Sequence, residues 1–360
     1  MKQYAGLILS AGLSAALFTG CGYAGPENAV KQELDLIQEL DMDAIQTLVS
    51  YKDLQISEDS SAAAEETALE AIRLFFKNFH YKIRSSSQDN RSHTAEVNVD
   101  ITNLDAQMLA KDLCRLMVRA SMDYKNIHTG QKDLTSSFAL LKECLENNTY
   151  PEKTTSAVIQ LTEKDGVWSI QENSELEDDL VGGFVSYLSD PYLLTPEDVL
   201  SCALDPFIDF SAEEWIQYLS IDDIFQVNNE LAISLDQLLA EQLESCFDYE
   251  ILNVTQDNNH AFAEVSLTSL DMDYVTQACV EPLLDYANST ESVRATEEEI
   301  NKKTAEIIMN ALENSTSSRS TIITMELWNS GQMWEVSLDD SFSDALLGGM
   351  EDALEVLTLE

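Results

Sequence analysis

The sequence predicts an α+β protein of two tandem repeats, each with helices packed on a curved antiparallel sheet. The first observation is a duplicated stretch: Val167-Trp168-Ser169-Ile170, followed by Gly182-Gly183, recurs 166 residues later as Met333-Trp334-Glu335-Val336 and Gly348-Gly349. The second is that segments of helical periodicity and segments of alternating apolar and polar residues follow one another in the same order in both copies. The third is a hydrophobic fraction of 44% over 360 residues, which is enough for two cores.

The duplication continues toward the N-terminus with an offset of 168. The matched positions are Phe79, Tyr81 and Ala95-Glu96-Val97 with Phe247, Tyr249 and Ala263-Glu264-Val265. From Leu104, which matches Leu270, the offset is 166 again, so the pattern places a two-residue change inside the second strand of the repeat. Two units of this length each fall within the usual size of one domain, and we predict domains over 28–190 and 191–360.

Each unit is predicted to run helix, helix, strand, strand, helix, helix, strand, strand, helix. In the first unit the predicted helices are 28–50, 68–76, 108–118 and 134–145, and the predicted strands are 79–83, 95–101, 155–161 and 167–170. Asp165-Gly166 predicts a hairpin turn, and Ser174 with Glu177 forms a capping-box pattern that opens the last helix. In the second unit Pro282 is expected to kink or split the third helix. The predicted linker, 189–197, contains two prolines.

The N-terminus has the pattern of an exported protein. Met1-Lys2 precedes an apolar run over 5–18, which is too short to span a membrane stably. The run ends in Leu17-Phe18-Thr19-Gly20-Cys21, which resembles a bacterial lipobox. The resemblance implies a signal peptide over 1–21, a diacylated Cys21 that anchors the chain in the bilayer, a tether over 22–27 and a location outside the cytoplasmic membrane. An ordinary secretory leader is the alternative.

In element order, both units resemble the NTF2-like and cystatin-like domains found in small bacterial lipoproteins. This resemblance implies a half-barrel whose concave face is either a pocket or a docking surface, and it carries over no catalytic residue. Six aromatic residues are candidates for this face or for the core: Trp168, Trp334, Tyr81, Tyr249, Phe79 and Phe247. The two glycine pairs are expected inside helical patterns, either for close packing on the sheet or as a hinge.

The chain is strongly acidic, with 65 acidic against 20 basic residues and a net charge of −45. A solvated acidic surface accounts for this charge, and the alternative is a cationic protein or peptide partner or loosely held divalent cations. Nucleic acid is excluded as a partner because no stripe of Lys and Arg is present.

No motif for a catalytic residue, a metal or a cofactor emerges. None of the four histidines has HExxH spacing or a nucleophile motif beside it. Besides Cys21 there are five cysteines, an odd number, and none has the spacing of a structural metal site. Buried thiols are the expected state, with a bridge between Cys114 and Cys144 as the alternative.

These observations favour a membrane-anchored lipoprotein without catalysis that binds a protein, a peptide or an envelope component. One alternative is a small-molecule receptor or a transporter-associated binding lipoprotein. The other is an enzyme that uses carboxylates in the concave face, which requires an Asp or Glu with a raised pKa in an apolar pocket. The oligomeric state is left open.

Overall fold

The computed structural model describes residues 25–40, 62–122, 134–171, 173–219 and 229–350. These residues form twelve α-helices and two four-stranded antiparallel sheets, which confirms the predicted α+β class. The NTF2-like or cystatin-like assignment stays a prediction. The leader with Cys21, the first half of the tether (22–24) and the predicted helix beyond residue 40 lie outside the described residues. The chain divides into two compact units, with the main boundary between Leu194 and Thr195.

The described part of the first unit contains six helices and four strands. They are α1 (Pro26–Gln38), α2 (Ala62–Phe75), β1 (His80–Asp89), β2 (Thr94–Leu104), α3 (Ala106–Met122), α4 (Leu134–Asn147), β3 (Glu152–Lys164), β4 (Val167–Ile170), α5 (Ser174–Leu180) and α6 (Phe184–Ser189).

The sheet of the first unit has the strand order β1-β2-β3-β4, and every neighbouring pair is antiparallel. Alternate residues of β2 and β3 are buried, as the apolar alternation predicts: Ala95, Val97, Val99, Ile101, Ala157, Ile159 and Leu161. Helix α1 contacts β1, β2 and β4, and α5 contacts β3, so these helices pack on the sheet. The intervening residues of β2 and β3, such as Ser156 and Val158, face outward and remain accessible to solvent.

The second unit repeats this architecture. Its elements are α7 (Pro196–Ile208), α8 (Ala212–Leu219), α9 (Asn229–Cys246), β5 (Asp248–Asp257), β6 (His260–Leu270), α10 (Met272–Ala287), a 3₁₀ turn (Ser292–Arg294), α11 (Glu297–Glu313), β7 (Ser318–Asn329), β8 (Trp334–Val336) and α12 (Asp340–Leu346). The strand order is β5-β6-β7-β8, again antiparallel throughout.

The register of the two sheets corrects the predicted alignment of the repeats. Gln88 pairs with Ala95 in the first sheet, whereas its counterpart Gln256 pairs with Ala261 in the second. The equivalent of Ala95 is therefore Ala261 and not Ala263, and the offset is 166 along the whole of β2 and β6. The two-residue change lies in the hairpin turn, which has four residues after β1 and two after β5. A shift of two residues keeps every side chain on the same face, so apolar alternation does not detect it.

Both sheets carry an irregularity at the same place in their edge strand. The register shifts between Ile83 and Ser85 in β1, and between Ile251 and Asn253 in β5. These positions are equivalent at the offset of 168. A bulge twists an edge strand and discourages its pairing with another chain, so each repeat protects the same edge in the same way.

The glycine pairs end helices rather than lying inside them, which corrects the prediction. Gly182 and Gly183 have φ angles of +67° and +83° and separate α5 from α6. A left-handed backbone is unfavourable for residues with a Cβ, so glycine is suited to this break. The equivalent Gly348, with φ +68°, also packs closely: a Cβ there would lie 2.0 Å from the carbonyl oxygen of Leu270.

The capping-box pattern predicts Ser174 as the N-cap of α5, and this prediction is wrong because Ser174 is already the first residue of the helix. Asn173 is the N-cap, and its side chain accepts a hydrogen bond of 2.8 Å from the backbone N–H of Leu176. Asp339 caps α12 in the same way at the equivalent position. Asn and Asp are as effective at this position as Ser, and the observed N-cap lies one residue before the predicted one.

Helix α10 passes through Pro282 as one continuous element, so the predicted split is wrong. Proline removes the hydrogen bond to the carbonyl group four residues earlier, which belongs to Ala278. Both Pro282 and Ala278 are exposed, so water can satisfy that carbonyl group.

Candidate binding surface

Four of the six aromatic candidates lie in the cores of their units. Phe79, Trp168, Phe247 and Trp334 are all between 1% and 7% exposed. The structure therefore places them in packing positions rather than on the wall of an open pocket.

The remaining two candidates, Tyr81 and Tyr249, link an edge strand to the first helix of each unit. The hydroxyl of Tyr81 donates to the carboxylate of Asp35 at 2.5 Å, and that of Tyr249 donates to Asp205 at 2.6 Å. Burial raises the pKa of each phenol, and the hydrogen bond to the carboxylate raises it further. Both tyrosines therefore stay protonated at neutral pH and are structural donors.

Replacing Tyr249 with phenylalanine is expected to destabilise the second unit by about 1.5–2 kcal/mol, because a hydrogen bond to a charged group is lost while the ring is kept. Tyr81→Phe should have a similar effect on the first unit. Amide hydrogen exchange of β5 and β1 measures the two effects separately. Tyr274→Phe is the control, since Tyr274 is half exposed and its hydroxyl has no partner among the described residues. Equal protection in Tyr249→Phe and in the control would contradict a stabilising role.

The thiols of the described residues are poor nucleophiles. No disulfide joins the five cysteines, and four of them are buried. Burial raises the pKa of Cys144 to about 12 and that of Cys246 to about 11, which keeps both thiols protonated. Among the described residues no group of three His, Cys, Asp or Glu side chains is arranged to hold a metal ion.

The carboxyl group of Glu33 is the titratable group that bears on the alternative of a carboxylate enzyme. Glu33 of α1 is 8% exposed, and no hydrogen bond or ion pair joins its side chain to another described residue. Burial raises its pKa to about 7. Glu33 lies on the buried stripe of α1 with Val30, Leu34 and Ile37, which is a core position. It meets the pKa condition for a catalytic carboxylate, and its place among the apolar residues of α1 also fits a core position.

The outward face of the second sheet carries exposed apolar side chains. Phe262 is 46% exposed, Ile322 is 65% exposed and Trp328 is 37% exposed, and Leu252 at the bulge of β5 is 45% exposed. Large exposed apolar groups that share one surface are uncommon unless that surface binds a protein, a membrane or a ligand. We define the outward face of the second sheet by Glu250, Phe262, Glu264, Ile322, Thr324, Glu326 and Trp328.

The apolar groups of this face are interleaved with carboxylates. Phe262 lies directly across from Glu326, and Glu264 lies across from Thr324. Trp328 is diagonal to Phe262, within reach of a large side chain. Ile322 lies two rows away from Phe262, and the row of Glu264 and Thr324 lies between them.

The same positions in the first sheet are polar. The register makes Glu96 the equivalent of Phe262, Ser156 the equivalent of Ile322, and Thr162 the equivalent of Trp328. On the first outward face Arg84 donates to Asp100, and Ser156 donates to the same carboxylate at 3.0 Å. The two repeats keep the same inward face and differ in what they present outward.

The two sheets also differ in charge. Strands β5 to β8 contain one basic residue, Arg319, which pairs with Asp273 at 2.7 Å, against six acidic residues: Asp248, Glu250, Asp257, Glu264, Glu326 and Glu335. Strands β1 to β4 contain four basic residues, Lys82, Arg84, Lys153 and Lys164, against five acidic ones, Asp89, Glu96, Asp100, Glu152 and Glu163. The net charge is therefore −5 for the second sheet and −1 for the first.

The alternation of residues in β7 is a sequence signal for this surface. Ile323, Met325 and Leu327 recur at every second position of β7 and are the buried, inward residues of this strand. The residues that alternate with them must then face outward, and Ile322 and Trp328 are the large apolar residues among these. Comparison with the polar equivalents in the first repeat would have selected both.

The second unit also has a surface pocket of about 530 Å³ between the end of α10 and the start of α11. Its lining carries charges of both signs, from the basic residues Arg294, Lys302 and Lys303 and the acidic residues Glu291, Glu299 and Glu306. Lys303 pairs with Glu306 at 3.2 Å, whereas Arg294 and Lys302 make no ion pair with other described residues.

None of the described helices is long and apolar enough to cross a membrane. No protein-family model and no curated protein matches the chain. A solved structure from Bacillus subtilis, described as a "putative lipoprotein (ycdA)", is similar to 76% of this chain and 94% of its own, with 12% sequence identity and a TM-score of 0.26. A TM-score of 0.26 is too low to establish a common fold.

Proposed function

We propose that this protein is a lipid-anchored, extracytoplasmic binding module that recruits a partner protein and performs no catalysis itself. The lipobox-like stretch ending at Cys21 supports the anchor. The acidic composition and the absence of catalytic motifs from the sequence support a binding role.

The observation that carries the proposal is the difference between the two outward faces. Both repeats fold in the same way, but the second replaces polar outward residues with Phe262, Ile322 and Trp328. Exposed aromatic and aliphatic side chains do not stabilise the sheet core, since they lie on the side away from the packed helices. They are typical of the centre of a protein interface, where Trp and other aromatic residues carry most of the binding energy.

The proposal predicts that crosslinking at the surface of the native cells captures a dominant partner with the lipidated wild-type protein. Ile322→Ser/Trp328→Thr should lose this adduct, because it installs the polar residues that the first repeat has at the same positions. Cys21→Ala should also lose it, because the unanchored chain leaves the membrane. Val158→Thr, which removes an exposed apolar side chain from the outward face of the first sheet, is the matched control. Retention of the adduct in the double variant would contradict the proposal.

A second function, small-molecule binding, is favoured by the pocket beside α11. Its volume lies within the range of ligand sites, and its lining combines basic side chains with the carboxylates of Glu291, Glu299 and Glu306. A dose-dependent rise in melting temperature with one member of a metabolite panel, abolished by Arg294→Gln/Lys302→Gln, would favour this function.

A further inference from the structure

We propose that the outward face of the second sheet docks a cationic segment of its partner that presents Lys or Arg and large apolar residues together on one face. The inference rests on the proposed function and specifies the chemistry of what is bound.

The positions of the apolar residues set the size of the segment. Ile322 and Trp328 lie six residues apart on β7, a separation of about 20 Å at the rise of a strand. Phe262 lies beside this line on β6, and Leu252 lies on the edge strand. A strip of this length accommodates about six extended residues or about thirteen helical residues.

The charge of the face selects the sign of the partner. Glu250, Glu264 and Glu326 are exposed and share the face with the apolar residues, and none of them pairs with a Lys or Arg of the described chain. The one basic side chain near these carboxylates among the described residues is His260, whose Nδ1 lies 3.3 Å from Glu326. A bound Lys or Arg would gain carboxylate partners here, whereas a bound acid would face repulsion.

The same charge excludes other occupants of this face. A second copy of the chain would bring another acidic face into contact, in a protein with a net charge of −45. A bilayer surface with anionic headgroups attracts basic segments and would repel this sheet. Interleaved apolar and acidic groups on one face match a segment that presents basic and apolar groups together on one of its own faces.

Three synthetic fourteen-residue peptides provide the test, each with Ser at every second position so that the remaining residues share one face of an extended chain: Lys and Leu in turn in the first peptide, Glu and Leu in the second, and Lys and Ser in the third. Binding is measured with the full chain in about 0.15 M salt, where screening limits non-specific attraction to the acidic surface. We expect the Lys-Leu peptide to bind at least tenfold more tightly than the other two. Equal binding of the Lys-Leu and Lys-Ser peptides would overturn the inference, since the apolar groups would then contribute nothing.

Repeat-exchange variants locate the binding. Ile322→Ser/Trp328→Thr should weaken binding of the Lys-Leu peptide at least tenfold. Glu250→Lys/Glu326→Gln, which installs the residues of the first repeat, should weaken it several-fold and reduce its salt dependence. Val158→Thr should bind as wild type does. Unchanged affinity in both double variants would overturn the inference.

Tryptophan emission gives a direct readout of the docked face. Of the four tryptophans, Trp168, Trp215 and Trp334 are at most 4% exposed and Trp328 is 37% exposed. Docking should shift the emission to shorter wavelength and reduce quenching by acrylamide, and Trp328→Thr should remove both changes. Peptide binding without any change at Trp328 would place the peptide elsewhere and overturn the inference.

The two levels of the proposal fail differently. If cell-surface crosslinking gives an adduct that depends on Ile322 and Trp328 while the Lys-Leu peptide does not bind, the binding module stands and the cationic segment is wrong. If neither the adduct nor the peptide depends on these residues, both proposals are wrong.

Discussion

Replacing Gly348 with alanine is expected to destabilise the second unit by about 3–5 kcal/mol, whereas alanine at the equivalent Gly182 should cost about 1 kcal/mol. Both glycines have a left-handed backbone, with φ of +68° and +67°, so the conformational penalty is the same. The surroundings differ. A Cβ at Gly348 would lie 2.0 Å from the backbone carbonyl of Leu270, whereas at Gly182 the nearest atom is the Cβ of Ala106 at 3.5 Å.

The conflict at Gly348 cannot be relieved by a side-chain rotation, because the opposing atom belongs to the backbone at the end of β6. Helix α12 must move away from the strand, and its contacts with β6 and β7 weaken. Amide hydrogen exchange in β6 for Gly348→Ala, and in β2 for Gly182→Ala, reports the two costs separately within the full chain. Equal loss of protection in both variants would mean that backbone conformation alone requires these glycines and that close packing does not.

The stability of the first unit is expected to fall by about 2.5 kcal/mol between pH 5 and pH 8 because of Glu33. The folded pKa is about 7, raised by burial from a reference value of 4.5. Below pH 4.5 the group is protonated in both states and costs nothing. As the pH rises, the unfolded chain ionises first, so stability is lost progressively until the pH passes 7.

Glu33→Gln should remove this pH dependence, because an amide does not ionise. The variant should exceed wild type by about 3 kcal/mol at pH 8 and by less than 1 kcal/mol at pH 5. The second repeat has Ala203 at the equivalent position, fully buried, so Glu33→Ala should also be tolerated. Exchange in β2, compared with wild type at each pH, is the measurement, and Glu39→Gln at an exposed position of the same region is the control. A Glu33→Gln variant no more stable than wild type at pH 8 would contradict a buried ionisable Glu33.

The duplication and the order of elements were predictable because they depend on local periodicity and on the spacing of repeated residues. Val97, Val99, Ile159 and Leu161 alternate so regularly that the inward face of the sheet follows directly. The turn at Asp165-Gly166 has positive φ at both residues, as a tight hairpin requires.

The relative register of the repeats was not predictable from alternation. Shifting the alignment of β6 against β2 by two residues makes Ala261 instead of Ala263 the equivalent of Ala95, and the apolar pattern stays intact. Only the strand pairing, which is a long-range property, places the missing two residues in the turn. Similarly, Gly182-Gly183 fits a helical pattern in sequence, and the break follows from its backbone conformation.

The binding surface depends on a comparison that requires this register. Ile322 and Trp328 alone are unremarkable in a strand rich in apolar residues. Comparison with the equivalent Ser156 and Thr162 of the first repeat shows that these two positions are apolar on one outward face and polar on the other. Glu33 was missed for a related reason, since a carboxylate in an amphipathic helix is expected to face water unless packing is known.

Site-specific photo-crosslinking in the native cells tests the central claim most directly. A photoreactive residue is placed at Thr324, in the middle of the outward face of the second sheet, or at Val158, its equivalent in the first sheet. Both positions are exposed and occupy the same place in their sheet, so the comparison isolates the surface. We predict a discrete adduct from position 324 and none from position 158. Equal adducts from both positions, or an adduct from position 158 alone, would contradict the account.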